Sequence, residues 1–307
     1  MTTQIPTQPK DIVREDWVLL VVLSILWGGS FIFIGVAVKE LPALLIVLAR
    51  VVLAAAILLP LHFWLQGPLP RDRRSWTSFF VMSLTNNVIP FTAIVYGQHF
   101  ITAGLASVIN ATTPLFAAVV MATAGVEGLT RRKSVGLFLG IAGVVVLRGV
   151  GFADLGQETI GILSCLLASA SYGFGALWAK KRLTGIPAVT SATGQLLCSS
   201  LTVAILALLF AEPSQFLAVS SHAWLAILGL AILSTAVAYL LFFKIITRSG
   251  PMAANLVTML IPVSAIAMGA AYLGERITAN EVLGAVLIGF ALLIIDGQLL
   301  RKFGLIR

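Results

Sequence analysis

Residues 127–136 read EGLTRRKSVG, and residues 275–284 read ERITANEVLG. A constant shift of 148 residues pairs Glu127 with Glu275, Thr130 with Thr278 and Gly136 with Gly284. Each stretch joins two apolar runs, yet the first carries Arg131, Arg132 and Lys133 while the second carries only Arg276. Short cytoplasmic loops of membrane proteins collect Lys and Arg, and loops on the far side do not. The same loop therefore occurs twice, once on each side of a bilayer. That reading makes the chain an inverted repeat that crosses the membrane.

The pairing extends outward from these loops. The 148-residue shift also carries Trp76 onto Trp224, Asn87 onto Thr235 and Pro114 onto Pro262. Earlier in the chain a shift of 145 residues carries Trp27-Gly28 onto Tyr172-Gly173, Pro42 onto Pro187 and Arg50 onto Gln195. A membrane helix needs about 20 apolar residues. Runs that qualify fall at 17–38, 43–65, 76–97, 102–124, 134–150, 159–179, 187–210, 222–243, 251–273 and 279–299. Pro42, Pro187 and Pro251 mark helix starts. The expected fold is all-α, with ten transmembrane helices as two inverted five-helix repeats, 17–150 and 151–300. Polar residues 1–16 form a tail before them, and 301–307 a basic tail after them. Five crossings per half is an odd number, so the second half starts on the opposite side.

Charge fixes the orientation. With the N-terminus inside, the inner segments carry Lys10 and Arg14, Arg71, Arg73 and Arg74, and Arg131 to Lys133. They also carry Lys180 to Arg182, Lys244 and Arg248, and Arg301, Lys302 and Arg307. The outer segments hold only Lys39, Arg148 and Arg276, and Arg50 lies within the second span. Both termini are expected in the cytoplasm.

Composition agrees with this reading and excludes others. Hydrophobic residues make up 59% of the chain and charged residues 10%, against roughly 25% charged in soluble domains. The net charge of +8 is spread over short loops, so nucleic acid is not an expected partner. The first apolar run is too long for a signal-peptide core and reads as a retained helix. Cys165 and Cys198 lie in apolar runs and read as small buried hydrophobes. His62, His99 and His222 fall at helix ends, and neither H-E-x-x-H, G-x-S-x-G nor a P-loop occurs. Neither an enzyme nor any cofactor or metal is expected. No charged ring or filter-like loop suggests a channel.

Polar groups within the spans are the candidates for a site, because each needs a partner in hydrocarbon. Arg50 is the one ionised side chain deep in a span. Two readings stand for it: it attracts a substrate carboxylate, or it bonds freed carbonyls and holds helices together. A helix-interior proline frees the carbonyl four residues earlier. Pro90, Pro114 and Pro262 would thus free those of Asn86, Asn110 and Thr258 and act as hinges. Asn87, Thr113 and Thr235 add polarity near these turns, and Gln195 is the uncharged counterpart of Arg50 in the other half. The third, fourth, eighth and ninth spans are expected to meet around a polar midplane site. The alternative makes these residues interhelical glue. Trp27 and Tyr172 occupy equivalent deep positions, to stack on a planar or apolar substrate or simply to pack, and Tyr239, inside or near the end of a span, is a further candidate. The fifth and tenth spans are nearly free of polarity and carry Gly136-x3-Gly140 and Ala285-x3-Gly289. They are expected at the periphery, packing within the chain or in a homodimer. Glu127, Glu275 and Asp296 lie near helix ends, so no deep acid stands ready to carry protons.

The phrases Leu26-Trp27-Gly28-Gly29-Ser30-Phe31, Leu48-Ala49-Arg50, Ala106-Ser107 through Thr113-Pro114-Leu115, and Gly274-Glu275 with Thr278 resemble the EamA-type members of the drug/metabolite transporter superfamily. The resemblance runs through both halves. It implies a ten-helix fold, a central cavity and transport of small metabolites. Members include exporters of threonine and homoserine, of aromatic amino acids (the YddG type) and of other solutes. The chain is therefore expected to be a secondary transporter of the bacterial inner membrane. An exporter of amino acids, aromatic ones included, is the first expectation. A broad metabolite or drug exporter is the alternative, and a non-transporting scaffold a further one. Its expected partners are a small-molecule substrate and the lipid bilayer.

Overall fold

Pro42 and Pro187 each stand one residue before a helix, where a missing amide costs nothing. In the computed structural model, residues 14–148 and 156–296 are described. The rest of the expected tails and the loop 149–155 lie outside them. So do the side chains of Arg14, Arg148, 246–247, 249–255 and Asp296.

The first half contains α1 (Arg14–Ala37), α2 (Ala43–Gln66), α3 (Arg73–Ser83), α4 (Ile89–Gly97), α5 (Ala103–Asn110), α6 (Thr113–Thr123) and α7 (Arg131–Arg148). The second contains α8 (Gln157–Arg182), α9 (Ala188–Phe210), α10 (Ser221–Ala231), α11 (Ala238–Asn255), α12 (Val257–Met268) and α13 (Ala279–Asp296). No strand occurs among the described residues. Seven helical stretches are long and apolar enough to cross a membrane, including the continuous pieces Arg73–Gly97, Ala103–Thr123 and Ser221–Ile245. Val257–Leu273 and Ala279–Ile295 are shorter apolar helices. The chain is a polytopic membrane protein.

Three expectations about prolines need correction. Pro251 starts no helix, because α11 runs through it to Asn255; proline marks helix starts and strained interiors alike. Pro90 does not kink a regular helix, since α3 and α4 are joined by a π-helical turn, Leu84–Val88. Pro114 is the second residue of α6, after a break at Ala111 and Thr112. There the Thr113 hydroxyl donates to the Asn110 carbonyl at 2.7 Å, so that carbonyl is already satisfied. Of the three prolines expected as hinges, Pro262 alone sits inside a regular helix, α12.

A second π-helical turn, Ile232–Val237, joins α10 to α11. It lies 148 residues after the first, yet Ala238 stands where the first half has Pro90. The widened turn recurs without a proline. In both, an amide reaches back five residues: Ile89 to the Leu84 carbonyl and Ala238 to that of Leu233.

Helices pack in repeat-related pairs. α2 packs on α9, and α7 on α13. The contact of α1 with α12 matches that of α8 with α6, and α2 with α10 matches α9 with α3. Arg248 of α11 reaches Glu15 and Asp16 at the start of α1, at 2.7 and 3.1 Å. Helices α7 and α13 expose Phe138 and Phe290 on their outer faces. They approach through Gly136, Gly143 and Gly284, where a Cβ would strike partner backbone or side chain. Gly143 and Gly284 each face the other's carbonyl. The expected x3 spacings are not what the contact uses: Gly140 faces Leu115 of α6, and Gly289 faces open space.

Candidate functional site

Arg50 sits two turns into α2 with only 6% of its surface exposed. Its Nε donates to Thr235 Oγ1 at 3.0 Å. The Thr235 hydroxyl in turn donates at 2.9 Å to the Leu230 carbonyl, five residues back across the second π turn. The widened turn thus lets one hydroxyl bridge its own helix and Arg50. The guanidinium carbon lies 3.6 Å from the centroid of the Phe91 ring, a cation–π contact. With Nε tied and one face covered, Arg50 lines the cavity beside it.

The repeat-related corner is neutral. Gln195 of α9, equivalent to Arg50, accepts from Asn86 Nδ2 at 3.3 Å. Asn87 donates to Ser199 Oγ at 2.9 Å and accepts from the Tyr239 hydroxyl at 3.2 Å. Each π turn therefore faces a polar residue of the long helix from the opposite half.

Between these corners lies a cavity of about 530 Å³. Nine expected site residues line it: Trp27, Arg50, Asn86, Asn110, Thr113, Tyr172, Gln195, Tyr239 and Thr258. Asn87 and Thr235 do not; both are fully buried one layer behind the wall, where they hold Tyr239 and Arg50. Pro90, Pro114 and Pro262 are also outside the lining. The sequence reading missed Phe31, Phe91, Phe242 and Phe243, which make much of the wall apolar. Trp27 and Phe242 pack at 5.2 Å between ring centroids, and Phe242 meets Phe243 at 6.0 Å. Asn110 Oδ1 is buried without a hydrogen-bond donor among the described residues. No Asp or Glu is among the described residues that line the cavity.

The two ends of the bundle differ. The cavity extends to Ala179, Leu183, Ile186 and Ala188, beside the Lys180–Arg182 cluster. At the opposite end, carboxylates tie one half to the other. Glu275 accepts from the amides of Ala103 at 2.7 Å and Gly104 at 3.0 Å, at the positive end of α5. Glu40 accepts from the Ser220 amide at 2.7 Å and its hydroxyl at 2.6 Å, at the start of α10. These Ser220 bonds hold the Glu40 carboxyl below its ordinary range. Glu127 shares Glu275's backbone turn: its amide reaches the Met121 carbonyl as that of Glu275 reaches Gly269. Its carboxylate differs, meeting Lys133 and Lys180 at 2.8 Å each. Hydrogen bonds from both lysines hold it down to about 2.

The profile of the EamA-like transporter family matches residues 16–149 and again 159–296. Among curated proteins, "Uncharacterized transporter YoaV" of Bacillus subtilis is 25% identical over 270 residues, covering 88% of this chain and 92% of the relative. "Probable amino-acid metabolite efflux pump" of Escherichia coli is 26% identical over 299 residues, covering 95% and 96%. A crystal structure shares the fold at a TM-score of 0.66 and 18% identity, covering 95% of this chain and 99% of its own.

Proposed function

Because the chain belongs to the EamA-like transporter family, as a multi-pass protein of the bacterial inner membrane, we propose that it exports amino acids and related carboxylates by alternating access. In this reading ten spans form two inverted halves, 17–150 and 151–300, with both termini in the cytoplasm. The paired contacts of α2 with α9 and α7 with α13 support that symmetry. The basic end beside Lys180 is then cytoplasmic, and the conformation described is open inward and closed outward. The Glu40 and Glu275 contacts support the outer closure.

The single observation that carries the substrate reading is Arg50. It is a buried cation on a cavity wall whose described lining has no acid. A substrate carboxylate supplies the missing counter-charge and pairs with both terminal nitrogens. The rings of Trp27, Phe242 and Phe243 suit an aromatic side chain. The lack of a deep acid in the spans weakens proton coupling through a midplane carboxylate without excluding it, and facilitated movement or exchange is equally compatible.

Proteoliposomes loaded with labelled phenylalanine and other amino acids test this. Efflux from the intact protein, abolished or reduced at least tenfold by Arg50→Gln, is the expected result. Flux that ignores Arg50→Gln and extends equally to uncharged and cationic solutes would establish the broad exporter instead. Absence of any flux would favour a scaffold.

A further inference from the structure

The charge inventory of the cavity goes beyond the presence of one arginine. We infer that this cavity binds its substrate as a net anion, so that an aromatic monocarboxylate without an α-ammonium group is preferred to the zwitterionic amino acid. The inference rests on the reading of Arg50 as the carboxylate partner. Arginine stays protonated in proteins, so the cavity carries a fixed positive charge. A bound monoanion cancels it. A zwitterion cancels it with one end and restores it with the other, and the ammonium then needs a partner inside a largely apolar cavity.

The described lining supplies no charged partner for that ammonium. Its hydroxyls are neutral: those of Ser107 and Thr113 donate to the Gly104 and Asn110 carbonyls at 2.6 and 2.7 Å and keep lone pairs for an N–H, but none carries the negative charge that would balance an ammonium. Gln195 Oε1 already accepts from Asn86. The Phe91 face beside Arg50 is covered by the guanidinium, so it offers no second cation–π seat. Asn110 Oδ1, buried without a donor among the described residues, is likewise neutral. It satisfies one N–H or O–H without balancing a charge. An apolar body fits among Trp27, Phe31, Phe242 and Phe243, and about 530 Å³ accommodates one ring with a short acid chain.

Three probes of nearly equal shape separate the charge states: 3-phenylpropionate, L-phenylalanine and phenethylamine. Their binding to the full-length protein in detergent micelles is measured by titration calorimetry near neutral pH. The expected result is 3-phenylpropionate binding at least tenfold tighter than L-phenylalanine, with no binding of phenethylamine. Arg50→Gln should abolish the binding of 3-phenylpropionate. L-phenylalanine binding as tightly as 3-phenylpropionate or tighter would overturn the inference, and would leave the carboxylate reading intact if Arg50→Gln weakens both. A preference for L-phenylalanine that disappears in Asn110→Leu would assign the ammonium to that oxygen and also overturn it. Affinities that Arg50→Gln leaves unchanged, or no binding of any probe, overturn the inference and the carboxylate reading together. The comparison of probes on the wild-type protein decides the matter even if Arg50→Gln fails to fold.

Discussion

Thr235 shows how a side chain outside the cavity sets what happens within it. Its hydroxyl proton goes to the Leu230 carbonyl, which turns a lone pair towards Arg50 Nε. Thr235→Val keeps the shape but leaves that charged N–H buried without an acceptor. Hydrogen bonds to charged groups contribute about 1.5–3 kcal/mol, so carboxylate affinity should fall by about 10- to 100-fold. Thr235→Ser, which retains the hydroxyl, should stay near wild type. Transport kinetics check this through KM, with kcat less affected; equal KM values for Val and Ser would remove the positioning role. Glu127 makes a second prediction at this scale. Its folded-state value is depressed to about 2 by Lys133 and Lys180. The stability of that ion pair is therefore present above the ordinary carboxylate value, about 4.3, and is lost only as pH falls through about 2. In this conformation Glu127 stays ionised throughout the physiological range. The pH profile of transport between about pH 5 and 8 should keep its shape in Glu127→Gln, and a lost inflection would assign Glu127 a proton-carrying role.

At the scale of elements, the α7–α13 pair depends on the absence of side chains. A Cβ at Gly143 would press on Ile288 and the Gly284 carbonyl, and one at Gly284 on Leu147 and the Gly143 carbonyl. Gly143→Val or Gly284→Val should cost about 1–3 kcal/mol by overpacking, seen as a lower melting temperature in detergent. Gly289→Val, which meets open space, should be silent. Equal effects at all three sites would mean that the contact is not where the structure puts it. The sequence reading found small residues on these helices but not which of them meet, because x3 spacing marks a face without naming its partner. The helix starts at Pro42 and Pro187 were legible, since proline constrains its own backbone. The π turns were not, since Pro90 follows one and Ala238 the other, and no residue type announces them. Their effect reaches further than the turn. Each inserts one extra residue, which rotates the following helix by about 100°. Depth in the membrane was therefore readable for Asn87 and Thr235, while the direction of their side chains was not. Phenylalanine at 31, 91, 242 and 243 was invisible for another reason: in a chain with 17 of them, the same residue faces lipid, core and cavity alike.

For the whole molecule, the repeat relates the two ends, and the contacts break that relation. At one end Glu40 of the first half holds Ser220 of the second, and Glu275 of the second half holds Ala103 and Gly104 of the first. At the other end the 145-residue shift carries Glu40 onto Gly185, which has no side chain to offer. Glu127, the equivalent of Glu275, is occupied by lysines. The cavity lining extends towards the end that lacks such clasps, to Ala179, Leu183 and Ile186. If they hold the outer face shut, removing their charge should favour the outward-open state. The test is a Ser107→Cys variant in which Cys165 and Cys198 are replaced, because both are free thiols. Ser107 lines the cavity between the bound Glu275 and the break in the fourth span, and it is fully buried in this conformation. Adding Glu40→Gln and Glu275→Gln should raise labelling by a membrane-impermeant thiol reagent from the outer side several-fold. Acid should act in the same direction on Glu40, with a defined threshold. Its carboxyl is held below the ordinary value by Ser220, so its clasp is at full strength above that value. The clasp loosens only as pH falls through the depressed one. Outer labelling unchanged by the double substitution would place the closure in the apolar packing of the helices and not in the carboxylates.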